Sequence, residues 1–412
     1  MHKLPVSLRR FAASLPEAAR LPDVPHSGYP AVPGKRILVL SVSAGAGHLR
    51  AAQAIEAQAA LVAGAEVIHL DVMRYVPAGF RTLYTGFYLT LVNRLPTLWG
   101  CLYQSTNKAQ PDGALQTVRR AFERLNTRAL LREIDALAPD AIICTHFLPA
   151  ELLSHAAEKR RPGCPVWVQV TDFDLHRMWV QPHIAGYFAA SEEVAFRMRA
   201  RGIPPHTIHV TGIPIMPTFG AMLQRDICAK EMGLDPRRMT LVLIGGGAGL
   251  GGLDTVAAAL LEIDEDFQLI VMAGRNAVAL NALRRLAAQH PGRLLPQGYN
   301  HRIERVLACA DLVITKPGGL TCAECLALGL PMIVNNPIRG QEERNADFLL
   351  EQGVALKACD PVTLEYRVRY LLRHPDKLSD MRRRARALGR PDAARDVLKA
   401  VMATESVYDN AV

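Results

Sequence analysis

The sequence predicts an α/β protein built from two doubly wound domains, and three observations carry that prediction. Each half opens on a strand, a glycine-rich loop and a helix: Lys35 to Ser41, Val42 to Gly47 and Leu49 to Glu56 in the first, then Thr240 to Ile244, Gly245 to Gly252 and Leu253 to Ala257 in the second. A segment with two prolines and a glycine, Thr211 to Phe219, separates the halves. At 412 residues the chain is long for one core, so two domains of ordinary size are the default. The expected bounds are a flexible leader over 1–34, a first domain over 35–213, a second over 214–390 and a final helix over 391–412.

Composition narrows the class. Half the residues are apolar, 6% are aromatic and the 21% that are charged are mixed in sign, which is the balance of a globular protein. No apolar run reaches the roughly 20 residues of a spanning helix. The first 20 residues hold no continuous apolar core followed by a small-residue cleavage site, so no signal peptide is read. The eight cysteines lie scattered in apolar segments, as reduced thiols of a cytoplasm do. Cys322 and Cys325 form a C-x-x-C, but without a second pair the spacing reads as helical core packing. The net charge of +9 comes mainly from arginine and suits an anionic membrane surface or a solvated face. No nucleic-acid-binding fingerprint accompanies it, which makes nucleic acid the least supported partner.

Along the first half, the opening loop reads G-x-G-H, with Arg50 in the place of a third glycine. That disfavours a dinucleotide-dependent dehydrogenase, although the next strand, Val67 to Asp71, ends in an acid. Residues 72–107 interleave Tyr75, Phe80, Tyr84, Phe87, Tyr88, Trp99 and Tyr103 with Arg74, Arg81 and Arg94. This mixture suits a surface that dips into lipid headgroups, or a buried helical pair broken at Pro96. Strands follow at Asp140 to His146, Pro165 to Asp172 and Gly186 to Ser191.

In the second half, six glycines in the eight positions from Gly245 let Gly246, Gly247 and Gly249 approach a diphosphate with free N–H donors. Leu269 to Gly274 is a strand with Arg275 at its tip, placed for donor phosphates or for a surface ion pair. Leu312 to Ile314 is a buried strand, and the Pro317-Gly318-Gly319 turn leads into a helix capped near Thr321. The free N–H groups and positive dipole end of that helix suit a phosphate or a sugar hydroxyl. Glu324, expected on the first turn, can accept two hydrogen bonds from a vicinal diol such as a ribose. Leu330 to Val334 is the next strand, with Gly340, Gln341 and Glu342 in the loop beyond it. The set suits a nucleotide-sugar better than a bare phosphate.

The Pro-Gly-Gly turn, the Thr-x-x-Glu helix start, the Gly-Leu-Pro strand entry and the Gly-Gln-Glu loop together resemble the donor half of glycosyltransferase family 28. Within it the nearest likeness is to the diacylglycerol glycosyltransferases, meaning the monogalactosyldiacylglycerol synthases and the bacterial processive glucosyltransferases. The resemblance runs from about Ile37 to Gly353 and implies a GT-B architecture. The first domain would bind the lipid acceptor, the second the UDP-sugar, and the final helix would cross back to the first domain. It implies inverting transfer of galactose or glucose from UDP-galactose or UDP-glucose to 1,2-diacylglycerol, on the inner face of the cell membrane, with no cofactor and no metal.

The same resemblance assigns residues. His48 takes the proton of the acceptor hydroxyl, caps its helix or bonds a donor phosphate. Plant relatives carry an acid just before these glycines where Ser43 stands here, which leaves the identity of the base open. Asp172 faces the cleft, to orient His48 or the acceptor or to cap a turn; with Asp174 it forms a D-x-D that is not assigned to a metal. Tyr84, Tyr88, Trp99 and Tyr103 meet the lipid, and Tyr299 holds the uracil. The ribose falls to Glu324, the diphosphate to Gly246, Gly247, Gly249, Arg275, Gly318 and Gly319 with Thr321 at the helix start, and the sugar hydroxyls to Gln341 and Glu342. Two other functions stay open: a family 28 transferase acting on a polyprenyl-linked acceptor, and a nucleotide-sugar sensor without turnover.

Overall fold

The computed structural model describes residues 34–43, 45–75, 128–157, 163–245 and 252–404. Its strands form two six-stranded sheets in which every pairing is parallel. The first holds β1 (Lys35–Ser41), β2 (Ala65–Asp71), β3 (Ala141–Cys144), β4 (Val166–Gln169), β5 (Gly186–Ala189) and β6 (Ile208–Val210), in the order β2-β1-β3-β4-β5-β6. The second holds β7 (Met239–Ile244), β8 (Phe267–Met272), β9 (Leu294–Gln297), β10 (Leu312–Thr315), β11 (Met332–Asn335) and β12 (Ala355–Ala358), in the order β12-β11-β10-β7-β8-β9. The expected α/β architecture of two doubly wound sheets is the observed one.

Apolar runs explain the strands. β3, β4, β5 and β10 are buried at every position, as strands covered by helices on both faces must be. The strand order then positions the site. It reverses direction between β1 and β3 in the first sheet and between β7 and β10 in the second, and ligand crevices in open α/β sheets lie outside the carboxyl ends at such points. The loop and helix after β1 carry His48; the turn after β10 carries Gly318 and Gly319.

Residues 361–403 form three successive helices, Pro361–Arg373, Pro375–Leu388 and Ala393–Ala403. The last packs against the first sheet: Val397, Leu398 and Val401 are fully buried in one cluster with Ile37, Val39, Ala52 and Ile55. Each such side chain contributes about 1.5–3 kcal/mol of apolar burial. Lys35 Nζ donates to the Val401 carbonyl at 2.9 Å, which caps the same contact with a polar tie.

Candidate active site between the two sheets

The helix after β1, Ala46–Ala59, begins without a side-chain cap, and its third residue is His48. The imidazole is packed among protein atoms while keeping part of its surface accessible. Its Nδ1 lies 3.0 Å from the Thr145 carbonyl oxygen and 2.9 Å from the Thr171 hydroxyl. A carbonyl oxygen only accepts, so Nδ1 carries the proton and Nε2 carries the lone pair. The His146 ring packs edge-on at 4.5 Å between centroids, and Trp179 stands at 6.1 Å. Thr145 also ties the backbone, its hydroxyl donating to the His48 carbonyl at 3.0 Å. Burial lowers the His48 pKa to about 4, against the opposing pull of the Thr145 carbonyl, so the ring is neutral at pH 7.

Thr171 and Asp172 lie just beyond the carboxyl end of β4 and are the junction between the sheets. Among the described residues Asp172 makes no hydrogen bond to His48. Its Oδ1 instead accepts from the Gln341 side-chain amide and, at 3.3 Å, from Asn345 Nδ2. Asn345 is fully buried, donates also to the Pro317 carbonyl at 3.0 Å, and accepts from the Phe173 backbone N–H at 2.8 Å. Phe173 stacks on Phe348 at 4.7 Å beneath these bonds. Asp174 pairs with Arg197 at 3.3 Å, so the two carboxylates of the D-x-D have separate protein partners.

Burial raises the Asp172 pKa to about 6, although both amide donors pull it down. An acid whose folded pKa exceeds its unfolded one disfavours the fold as pH rises from the unfolded value to the folded one, and the penalty is complete above it. Asp172→Asn keeps an acceptor oxygen and removes the charge. It therefore raises Tm by a few degrees at about pH 8, with the gain shrinking to nothing below about pH 4. Differential scanning calorimetry at the two pH values checks this; a lower Tm at pH 8 contradicts it.

Across the junction, the helix expected to be capped near Thr321 is capped three residues earlier, at Gly318. It spans Gly319–Ala327 with Gly318 as its N-cap, which puts Thr321 in the first turn and Glu324 in the second rather than the first. The cause is proximity: a Cβ at Gly319 would lie 2.1 Å from the Thr171 carbonyl oxygen, so only glycine lets the helix end sit there. Leu320 meets the first sheet's helix at Gly47, 3.9 Å from where a Cβ would stand.

Glu324 is buried, and burial raises its pKa to about 7 while the charge of Arg50 from the first domain works against the rise. Cys322 and Cys325 on the same helix are fully buried, as expected of core packing.

Gln341 and Glu342 also shift relative to expectation. They do not lie in a loop but open the helix Gln341–Glu351 behind Gly340, whose φ of +95° turns the chain sharply. Acidic side chains satisfy the free donors of this entry: Glu342 Oε2 accepts from Ile338 N–H at 2.7 Å, and Glu343 Oε2 from Gly340 N–H at 3.1 Å. Burial raises the Glu342 pKa and lowers that of Lys316, and each charge opposes the other's shift.

At the far end of the second sheet Arg275 lies over the half-exposed Tyr299 ring, 4.6 Å from its centroid. Gly246, Gly247 and Gly249, and Tyr84, Tyr88, Trp99 and Tyr103, lie outside the described residues.

Thr171 thus links His48 to the Gly319 helix start and Asp172 links the same segment to Gln341, with Glu324 buried on the second turn of the Gly319 helix. Sequence reasoning had no role for Thr145, Thr171, Asn345 or Lys316. The signal available was positional: Thr145 and Thr171 are the polar residues that follow the buried β3 and β4 at their carboxyl ends.

Two parallel sheets that turn their carboxyl edges and helix N-termini toward a shared crevice are the GT-B class of fold. Among solved structures, MurG of Acinetobacter baumannii matches with a TM-score of 0.60 at 18% identity, over 90% of this chain and 100% of that one. The UDP co-structure of S. aureus MnaA matches with a TM-score of 0.59 at 13% identity, over 89% and 96%. The monogalactosyldiacylglycerol (MGDG) synthase family model matches residues 48–215, and the glycosyltransferase family 28 C-terminal domain model matches residues 240–397. The processive diacylglycerol β-glucosyltransferase of Bacillus pumilus is 27% identical over 91% of this chain and 97% of its own length. That of Bacillus subtilis is 26% identical over 89% and 95%. The chain belongs to glycosyltransferase family 28, in its diacylglycerol glycosyltransferase branch.

Proposed function

We propose that this chain is an inverting glycosyltransferase that moves a hexose from a UDP-sugar to the free hydroxyl of 1,2-diacylglycerol, without a metal, at the cytoplasmic surface of the membrane. The observation that carries it is the junction at Thr171 and Asp172. Thr171 touches the His48 imidazole and abuts the Gly319 helix start, while Asp172 holds Gln341. A neutral imidazole with a bare Nε2 therefore stands beside the helix N-terminus and amide that suit a sugar diphosphate.

The reaction follows from that placement. His48 Nε2 takes the acceptor's hydroxyl proton as its oxygen attacks the anomeric carbon. The bond from that carbon to the diphosphate oxygen breaks, and UDP leaves with the electron pair, giving a β-glycoside from an α-linked donor. Backbone N–H groups at Gly319 and the helix dipole stabilise the charge that develops on phosphate. Glu324 accepts from the ribose hydroxyls, Gln341 and Glu342 bind the sugar, and Arg275 with Tyr299 serves the phosphates and the uracil. The relatives' names support glucose ahead of galactose. No helix among the described residues is long and apolar enough to cross a membrane, which is compatible with peripheral attachment.

The test offers the protein UDP-glucose or UDP-galactose with diacylglycerol in mixed micelles, with and without EDTA, and follows UDP and lipid products. A glycolipid formed at the same rate in EDTA supports the reading. Donor binding with no glycolipid sinks it in favour of a polyprenyl-linked acceptor or a sensor.

Glu324 sets an expected pH dependence. With a pKa of about 7 in the free protein, its carboxylate is lost as pH falls, so kcat/KM for the UDP-sugar declines from about pH 8 to about pH 6. Glu324→Gln raises the donor KM roughly ten- to a hundredfold, the worth of hydrogen bonds to a charged acceptor, and flattens the decline. An unchanged pH profile in the variant would refute the assignment.

A further inference from the structure

We infer that Thr171 is the positioning residue of the base: its hydroxyl is the second acceptor for the His48 Nδ1 proton, and it aims Nε2 into the crevice. The inference rests on the reading of His48 as base. In the loop before the His48 helix, Ser43 N–H donates to Asp71 Oδ1 at 3.2 Å. Among the described residues no carboxylate reaches Nδ1. The nearest acid in sequence to Thr171, Asp172, is committed to Gln341 and Asn345.

Two oxygens hold Nδ1 instead. The Thr145 carbonyl at 3.0 Å determines which nitrogen bears the proton, because it has nothing to donate. The Thr171 hydroxyl at 2.9 Å approaches the same proton from the segment beyond β4, so the N–H is held between two acceptors that orient the ring. When Nε2 takes the acceptor's proton, both oxygens stay bonded to Nδ1–H of the imidazolium, and bonds to a charged group are stronger than those to a neutral one. Thr171 therefore acts more strongly after proton transfer than before it. Its backbone carbonyl abuts the Gly319 helix start, so the residue that aims the base also touches the donor-binding element.

The experiment compares Thr171→Val, close in shape but without the hydroxyl, with Thr171→Ser, which keeps it, using diacylglycerol and the UDP-sugar that is turned over. The expected result is a kcat about tenfold lower in Thr171→Val, an unchanged donor KM, and most of the rate restored in Thr171→Ser. A kcat within twofold of the parent in Thr171→Val, or an equal loss in Thr171→Ser, overturns the inference.

His48→Ala measured alongside separates the two claims. Full activity there removes the base and this inference with it; an inactive His48→Ala beside an unimpaired Thr171→Val removes only the role of Thr171. A readout on the unmodified protein stands apart from the folding of any variant. Ring 15N shifts at pH 7 should show His48 protonated at Nδ1 and bare at Nε2, and the opposite tautomer overturns the inference.

Discussion

His48→Ala lowers kcat by about 10²–10⁴-fold while the KM for the UDP-sugar moves by less than about threefold. The loss is that large because the ring is held ready as a base: neutral at pH 7, with Nδ1 bound to Thr145 and Thr171 and, among the described residues, no hydrogen bond on Nε2. Donor affinity is spared because the groups assigned to the donor stand on the second sheet's loops and helices, across the junction from His48. Burial holds the free ring's pKa near 4, and the two negative charges of an arriving diphosphate favour the imidazolium, so basicity rises when the donor is in place. Steady-state kinetics with UDP binding by calorimetry checks both halves of the expectation. A kcat within threefold of the parent would show that another group takes the proton.

Gly319→Ala should damage both stability and turnover. Its Cβ would stand 2.1 Å from the Thr171 carbonyl oxygen and 3.3 Å from Asp172 Oδ1, and the first of these neighbours is backbone that cannot rotate away. The helix start must retreat from β4's end, an overpacking cost of about 1–3 kcal/mol that lowers Tm by several degrees. Turnover falls further, by about 10²-fold, because the same movement displaces the Thr171 hydroxyl from His48 and the Asp172 carboxylate from Gln341. Gly318→Ala is the comparison for stability: an added Cβ there meets nothing within 4 Å, and its φ of −66° suits any residue, so its Tm stays close to the parent's. Equal melting temperatures for Gly319→Ala and the parent would show that the two sheets do not meet as described.

Much of the site was legible because its parts are local. The runs Lys35 to Ser41 and Leu312 to Ile314 read as buried strands because β-branched and leucine residues crowd them, and the glycines after them read as turns because glycine is the residue most free to turn the backbone. His48, Gly319, Glu324 and Gln341 were singled out from such punctuation together with the family resemblance. Where the reading went astray, the deciding contact was distant. A helix start at Thr321 is the better local guess from capping propensity, yet the approach of Thr171 makes Gly318 the N-cap and carries Glu324 into the second turn.

By itself, then, the sequence determined the order of strands, the loops at their carboxyl ends and the residue types that those loops present, since hydrophobic periodicity and glycine placement act over a few residues. Only the tertiary structure decided the partners. Thr171 meets His48 across 123 residues, and Gln341 meets Asp172 across 169. No propensity spans such distances, and these bonds exist because two independently wound sheets bury apolar surface against each other and bring their carboxyl edges together.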